Sequence, residues 1–179
     1  MKYYDAAVIG GGILGCFAAR NLRKWNISTV LLEAEEDVCT GISKANTAVV
    51  YAGYDNKPGT LKAQMTVRAN QHFQKLCQEL GVPFHRCGSL MVSSDPLSDE
   101  SLKEKYEQGQ ANGVPALSLL SGEEARRLEP TLSSDITSVL FAPTTGTVNP
   151  WHLCYAAYEN AKDNGAEFLF HTKVLVLVS

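Results

Sequence analysis

Gly10-Gly11-Gly12-Ile13-Leu14-Gly15 is the stretch of this 179-residue chain whose residue types and spacing point most directly to chemistry. The phosphates of a dinucleotide have to approach backbone N–H groups at the start of a helix. Gly10 permits the tight turn out of a strand, Gly12 removes a side chain where a pyrophosphate would approach, and Gly15 allows the following helix to lie close to the strand. Ile13 and Leu14 open that helix. Glu33 ends the next apolar run, with Ala34 beside it, and a carboxylate there can accept hydrogen bonds from ribose hydroxyls. An acid at this place argues against a 2′-phosphate. It leaves open which dinucleotide is bound, and the nicotinamide and flavin families share the fingerprint.

The glycines mean little without the elements that must carry them. Tyr3 to Ile9 reads as a buried strand, Ile13 to Trp25 as a helix, and Ile27 to Glu33 as a second, β-branched strand. Asn26 stands where a left-handed residue is expected to end the helix. On the helix, Leu14, Phe17, Ala18 and Leu22 can share an apolar face, with Arg20, Arg23 and Lys24 elsewhere. Strand, turn, helix, strand is a βαβ unit with parallel strands.

Farther along, Lys57-Pro58-Gly59 signals a turn, and Thr60 can cap a long helix that Gly81 stops. Val82 to Ser93 reads as one or two strands, Leu97 to Asn112 as a charged helix, and Val114 to Leu120 as extended. Gly122 to Leu128 reads as a short helix and Ile136 to Ala142 as a strand. Trp151 to Asn164 reads as a helix and Ala166 to Val178 as strand-like. The expected fold is α/β: a Rossmann-type domain of residues 1–81 and 151–179, with the start of an α+β domain, residues 82–150, inserted into it.

The segment Gly41 to Asp55 (Gly-Ile-Ser-Lys-Ala-Asn-Thr-Ala-Val-Val-Tyr-Ala-Gly-Tyr-Asp), continued by Lys57-Pro58-Gly59-Thr60-Leu61-Lys62-Ala63, resembles the FAD-dependent oxidoreductases of the D-amino-acid-oxidase superfamily. Gly88 to Val92 and Pro143 to Pro150 are similar to the same branch, that of flavin-dependent glycerol-3-phosphate dehydrogenases and L-2-hydroxyglutarate oxidases. The resemblance runs in order through nearly the whole chain. It implies FAD as the cofactor, with Ser43, Lys44, Ala45 and Asn46 along the flavin pyrophosphate and ribityl chain, and Val174 near the adenine. By residue chemistry alone, hydrogen bonds within a turn are the favoured role of Ser43 and Asn46. Many relatives carry a histidine where Tyr51 stands. Tyrosine cannot form a histidyl–flavin bond, so non-covalent FAD is expected.

The resemblance also implies a dehydrogenase that passes a hydride from a small hydroxy substrate to flavin. Glycerol 3-phosphate is the first expectation, and L-2-hydroxyglutarate or an amino acid the alternative. Relatives are longer and carry their substrate-facing residues in the part beyond this chain, so no catalytic residue is assigned. Association with a missing C-terminal half or self-association is expected, and a non-catalytic FAD-domain fragment is the competing reading.

The remaining composition narrows the partners. Sixteen basic and 19 acidic residues give a net charge of −3, with no basic field for nucleic acid. No apolar run is long enough to span a bilayer, and a cytoplasmic protein is expected. The five cysteines, Cys16, Cys39, Cys77, Cys87 and Cys154, form no Cys-x-x-Cys pair and read as free thiols, mostly packed. His72, His85, His152 and His171 have no metal-ligand spacing, so no metal is expected. The run Glu123-Glu124-Ala125-Arg126-Arg127 reads as a solvated helix face.

Overall fold

The computed structural model describes residues 2–177. In chain order the elements are β1 (Ala6–Ile9), α1 (Ile13–Arg23), β2 (Thr29–Leu32), a 3-10 turn η1 (Ile42–Lys44), β3 (Val49–Val50) and α2 (Leu61–Glu79). Then come β4 (Phe84–His85), β5 (Ser89–Ser93), α3 (Pro96–Ala111), β6 (Ser118–Ser121), α4 (Gly122–Leu128), β7 (Ser138–Ala142), β8 (Gly146–Val148), α5 (Pro150–Asp163) and β9 (Glu167–Leu169). They form two compact units. The first gathers residues up to Ala48, Cys77–Pro83, and Val148 onward; the second holds Val49–Leu76 and Phe84–Thr147.

In the first unit β1, β2 and β9 form a parallel sheet with β2 in the middle. β2 is buried along most of its length, and β-branched Thr29 and Val30 suit a strand covered on both faces. α1 connects β1 to β2 and ends as expected, with Asn26 left-handed at φ +57°. Its buried face differs from the expected one. Cys16, Ala19 and Arg20 face inward, with Ile13 and Phe17 partly buried beside them, while Leu14 is 84% exposed. The reason is the neighbour: α5 lies against α1, and both helices present small residues there. Cys16, Ala19, Cys154, Ala157 and Ala161 are all fully buried. Arg20 buries its stem and directs its head to Asn160 Oδ1 at 3.0 Å and Glu79 Oε2 at 3.6 Å.

The strand expected over Ala166 to Val178 is shorter. β9 closes at Leu169, and residues 170–177 have no regular secondary structure. Among the described residues, backbone pairing continues to Thr172, whose N–H donates to Glu33 O at 2.8 Å, and beyond it Leu175, Val176 and Leu177 are exposed. An apolar run alone cannot hold a strand that lacks a partner beside it. Val178 lies outside the described residues.

The second unit contains an antiparallel sheet, β5-β7-β6, and a small sheet, β3-β8-β4. The two-residue β3 pairs with β8, Val49 opposite Thr147. The extended stretch expected from Val114 contributes a strand only from Ser118. Asp95 caps α3, accepting from Leu97 N and Ser98 N, with Pro96 opening the helix. Ser121 and Glu124 form a reciprocal capping box on α4. Thr60 caps α2 as expected, accepting from Ala63 N at 3.2 Å. Ala52, Val67, Leu102, Leu117 and Leu140 share one core, which is why residues 49–76 belong with 84–147.

Candidate functional site

The glycine turn is held on three sides by residues distant in sequence. Gly10 adopts φ +99° at the exit of β1, and its N–H donates to Leu32 O at 2.8 Å. Gly11 N donates to the Glu33 carboxylate, whose other oxygen accepts from Glu35 N at 2.9 Å. Cys39 N donates to Gly11 O at 3.0 Å. Ser43 Oγ accepts from Ile13 N at 2.9 Å, so η1 is moored to the first residue of α1.

This arrangement suits an anion. Gly12 is the N-cap of α1, offers no side-chain cap, and is followed by a first turn without acidic residues. The positive end of the helix is therefore not neutralised by its own side chains. A Cβ at Gly12 would stand 3.1 Å from Ser43 Oγ, so the glycine leaves a cradle that a side chain would begin to fill.

The sequence-derived residues sort as follows. Gly10, Gly12, Ile13, Gly15, Glu33 and Ser43 form one connected arrangement around the turn. Lys44 adjoins it on η1, with its ammonium 5.5 Å from the centroid of the Trp151 ring. Asn46 has its amide engaged locally: Nδ2 donates to Ser43 O at 2.8 Å and Oδ1 accepts from Ala48 N at 2.8 Å. That is the turn-bonding alternative, and it shapes the loop carrying Ser43. Leu14, Ala34 and Ala45 are exposed. Val174 is half-buried and lies outside any strand, two residues beyond the Thr172–Glu33 hydrogen bond that brings its segment to the Glu33 end of β2.

Sequence reading had not singled out what lies beneath the turn. Cys16 Sγ and Cys154 Sγ sit 3.9 Å apart and reach Gly11 O at 3.5 Å and 4.0 Å, with Cys39 in the same cluster. Burial first, then the neighbouring Cys154, pushes the Cys39 thiol up to about 11. It is a neutral packing group and no redox nucleophile. Beside it the Tyr155 hydroxyl donates to Asp37, which raises the phenol to about 12, burial adding to the effect. Asp37→Asn removes the carboxylate that disfavours the phenolate. A pH titration of tyrosine absorbance should then find one tyrosine ionising closer to the ordinary value of about 10; an unchanged curve would refute the assignment. Pairing residues this far apart leaves no local signature, although Asn149-Pro150 before Trp151 is a visible helix start. Asn149 Oδ1 accepts from Trp151 N and His152 N.

Within the second unit, Asn70 is 2% exposed, and its Nδ2 donates to Val50 O at 3.4 Å, Tyr51 O at 3.1 Å and Thr144 O at 2.9 Å. Tyr51 itself is 57% exposed. A cavity of about 350 Å³ is lined by Tyr51, Gly53, Tyr54, Asp55, Lys62 and Thr66. Its loop wall is braced by α3 and the residue after it. Gln108 Nε2 donates to Tyr54 O, Asn112 Nδ2 to Gly53 O and Asn56 O, and Lys105 pairs with Asp55 at 2.5 Å. All four histidines are exposed. Among the described residues, no group of His, Cys, Asp or Glu is placed to hold a metal ion, and no helix is long and apolar enough to cross a membrane.

Comparison with known proteins agrees with this geometry. A glycerol 3-phosphate dehydrogenase of Caloramator mitchellensis is 43% identical over 172 residues, covering 96% of this chain and 36% of the relative. The human mitochondrial L-2-hydroxyglutarate dehydrogenase is 30% identical over 173 residues, 96% of this chain and 37% of that protein. This chain thus spans a little over a third of the length of those relatives. Among solved structures, the dithionite-reduced L-alpha-glycerophosphate oxidase of Mycoplasma pneumoniae with FAD bound superposes with a TM-score of 0.92 at 25% identity. That match covers 97% of this chain and 46% of the oxidase. The family model described as FAD dependent oxidoreductase matches residues 5–179. The chain belongs to the FAD dependent oxidoreductase family, whose cofactor is FAD.

Proposed function

We propose that the first unit binds FAD non-covalently at the turn Gly10 to Gly15. We further propose that the protein serves as the cofactor-holding front part of a dehydrogenase acting on a small hydroxy substrate, with glycerol 3-phosphate first. The observation that carries this reading is the three-sided mooring of the turn by Glu33, Cys39 and Ser43 beside a helix start whose N-cap, Gly12, has no side chain and whose first turn has no acidic residue. Bound flavin supplies a hydride acceptor for a C–H bond that bears a hydroxyl. The chain's own part is placement. Gly12, Ile13 and Ser43 would hold the pyrophosphate, Lys44 would add charge, and Glu33 would meet the adenosine ribose while keeping its hold on Gly11. Val174 would border the adenine.

The division into an FAD-binding domain and a substrate domain is kept as part of this proposal, with the substrate side moved from residues 82–150 to the second unit, Val49–Leu76 and Phe84–Thr147. Its cavity fits a small hydroxylated anion. The Asp55 carboxylate is already paired with Lys105, so Lys62 is the cation left to meet a phosphate or carboxylate. L-2-hydroxyglutarate is the second reading, favoured by the relatives of that name.

The test is direct. Purified protein incubated with FAD and freed of excess should keep the visible absorption of an oxidised flavin, and denaturation should release that flavin into the supernatant. Colourless protein would sink the reading and leave a non-binding fragment. For a full-length homologue carrying this segment, anaerobic bleaching by glycerol 3-phosphate but not by L-2-hydroxyglutarate is expected; the reverse selectivity would exchange the two substrates.

A further inference from the structure

We infer that Trp151 is a positioning residue for the cofactor site: a fixed indole that holds the Lys44 ammonium beside the opening of α1. The inference rests on the FAD reading above and concerns a residue outside the glycine fingerprint.

Three observations carry it. First, Lys44 and Ser43 are consecutive on η1. Ser43 Oγ is bonded to Ile13 N at 2.9 Å, so the lysine backbone is tied to the start of α1. Second, the Lys44 ammonium lies 5.5 Å from the Trp151 ring centroid, within the range of a cation–π contact. Third, the indole is packed against a second ring: Asn149 Oδ1 accepts from the Trp151 backbone N at 3.0 Å, which fixes the start of α5, and the indole stacks on Tyr155 at 6.4 Å between centroids and 6° between planes. Tyr155 in turn is anchored on Asp37.

A lysine side chain is flexible and loses rotamer freedom when an anion captures it. An aromatic face that gathers the ammonium beforehand removes part of that loss. Trp151 is 41% exposed, so its free area can take the lysine without closing the site. A residue that would act on diphosphate binding through Lys44 therefore lies on α5, more than a hundred positions from the turn.

The test uses FAD titration of the purified chain, read by isothermal titration calorimetry so that variants with and without Trp151 are measured alike. In a Trp25→Phe background, where Trp151 is the remaining tryptophan, FAD should also quench its emission. Trp151→Leu should weaken FAD binding about two- to fivefold, the range expected for an exposed cation–π contact. Trp151→Phe should recover part of that. Lys44→Gln should weaken binding further, and adding Trp151→Leu to Lys44→Gln should cost nothing more, because the indole acts through the ammonium. Equal losses from Trp151→Leu with and without Lys44 would overturn the inference and make Trp151 a packing residue. So would a Trp151→Leu protein with wild-type affinity. If the wild-type chain takes up no FAD, the functional reading falls and the inference with it; if it takes up FAD without dependence on Trp151, only the inference falls.

Discussion

Gly15→Ala should strongly destabilise the first unit, despite improving helix propensity. Alanine is favoured over glycine inside a helix by about 1 kcal/mol, and Gly15 is not among the glycines with positive φ. By local rules the substitution should stabilise. The structure reverses the sign. A Cβ at Gly15 would sit 1.9 Å from Gly10 O and 3.1 Å from Gly10 C, both backbone atoms that cannot rotate aside. Relief requires α1 to lift away from the turn that ends β1, which breaks the approach of helix to strand and the cradle together. A net cost of roughly 3 kcal/mol is expected, or a fall in melting temperature of about 6–12 °C. FAD uptake should be lost with it. Both tryptophans, Trp25 and Trp151, belong to the first unit, so tryptophan fluorescence during denaturation reads this unit. Gly12→Ala is the informative companion. Its Cβ meets only Ser43 Oγ, at 3.1 Å, so folding should be nearly preserved while FAD affinity falls. A Gly15→Ala protein as stable as the parent would refute the close-packing argument.

Asn70→Asp should unfold the second unit by a different mechanism. One buried amide nitrogen donates to three backbone carbonyls, on the Val50–Tyr51 segment and on Thr144. Aspartate keeps the size and removes the donors. Ionised, it turns a negative oxygen toward three carbonyl oxygens inside a core; protonated, it offers a single hydrogen. A cost of roughly 3 kcal/mol or more follows from stranding these groups. The pH dependence has a definite sign. Burial raises the folded-state pKa of such an acid above its unfolded value, so the deficit is smallest at acid pH, where the group is neutral in both states. It grows as pH rises through the folded pKa. Far-UV circular dichroism during denaturation, compared between acid and neutral pH, measures it. A variant within about 1 kcal/mol of the parent at neutral pH would show that the clamp carries little.

The parts of this protein that could be read from residues alone are those with local causes. The turn Gly10 to Gly15, the left-handed Asn26, the cap at Thr60 and the span of α3 all follow from residue chemistry over a few positions. The stretch from Gly41 to Ala63 carried the family. What stayed hidden depends on partners far along the chain. Leu14 and Ala18 looked like the buried face of α1 because they are apolar. The neighbour turned out to be α5, whose Cys154, Ala157 and Ala161 favour the small residues of α1. β3 has two residues and exists through β8, almost a hundred positions later. Asn70 is one polar residue in a long helix until Thr144 reaches it. Glu33 was read from sequence as a candidate ribose acceptor; its hold on Gly11 was not visible there, since that hydrogen bond requires the turn to be folded first.

The central place of β2 also sets an order of events during synthesis. The second unit's last residue is Thr147, and translation delivers all of its segments before β9 exists. The first unit waits longer. Val30 and Leu31, 4% and 0% exposed in the finished protein, gain their second strand neighbour only when Glu167–Leu169 leaves the ribosome. At about 5–20 residues per second, the nascent nucleotide turn spends several seconds beside a half-built sheet. A pause in translation before β9 would lengthen that interval.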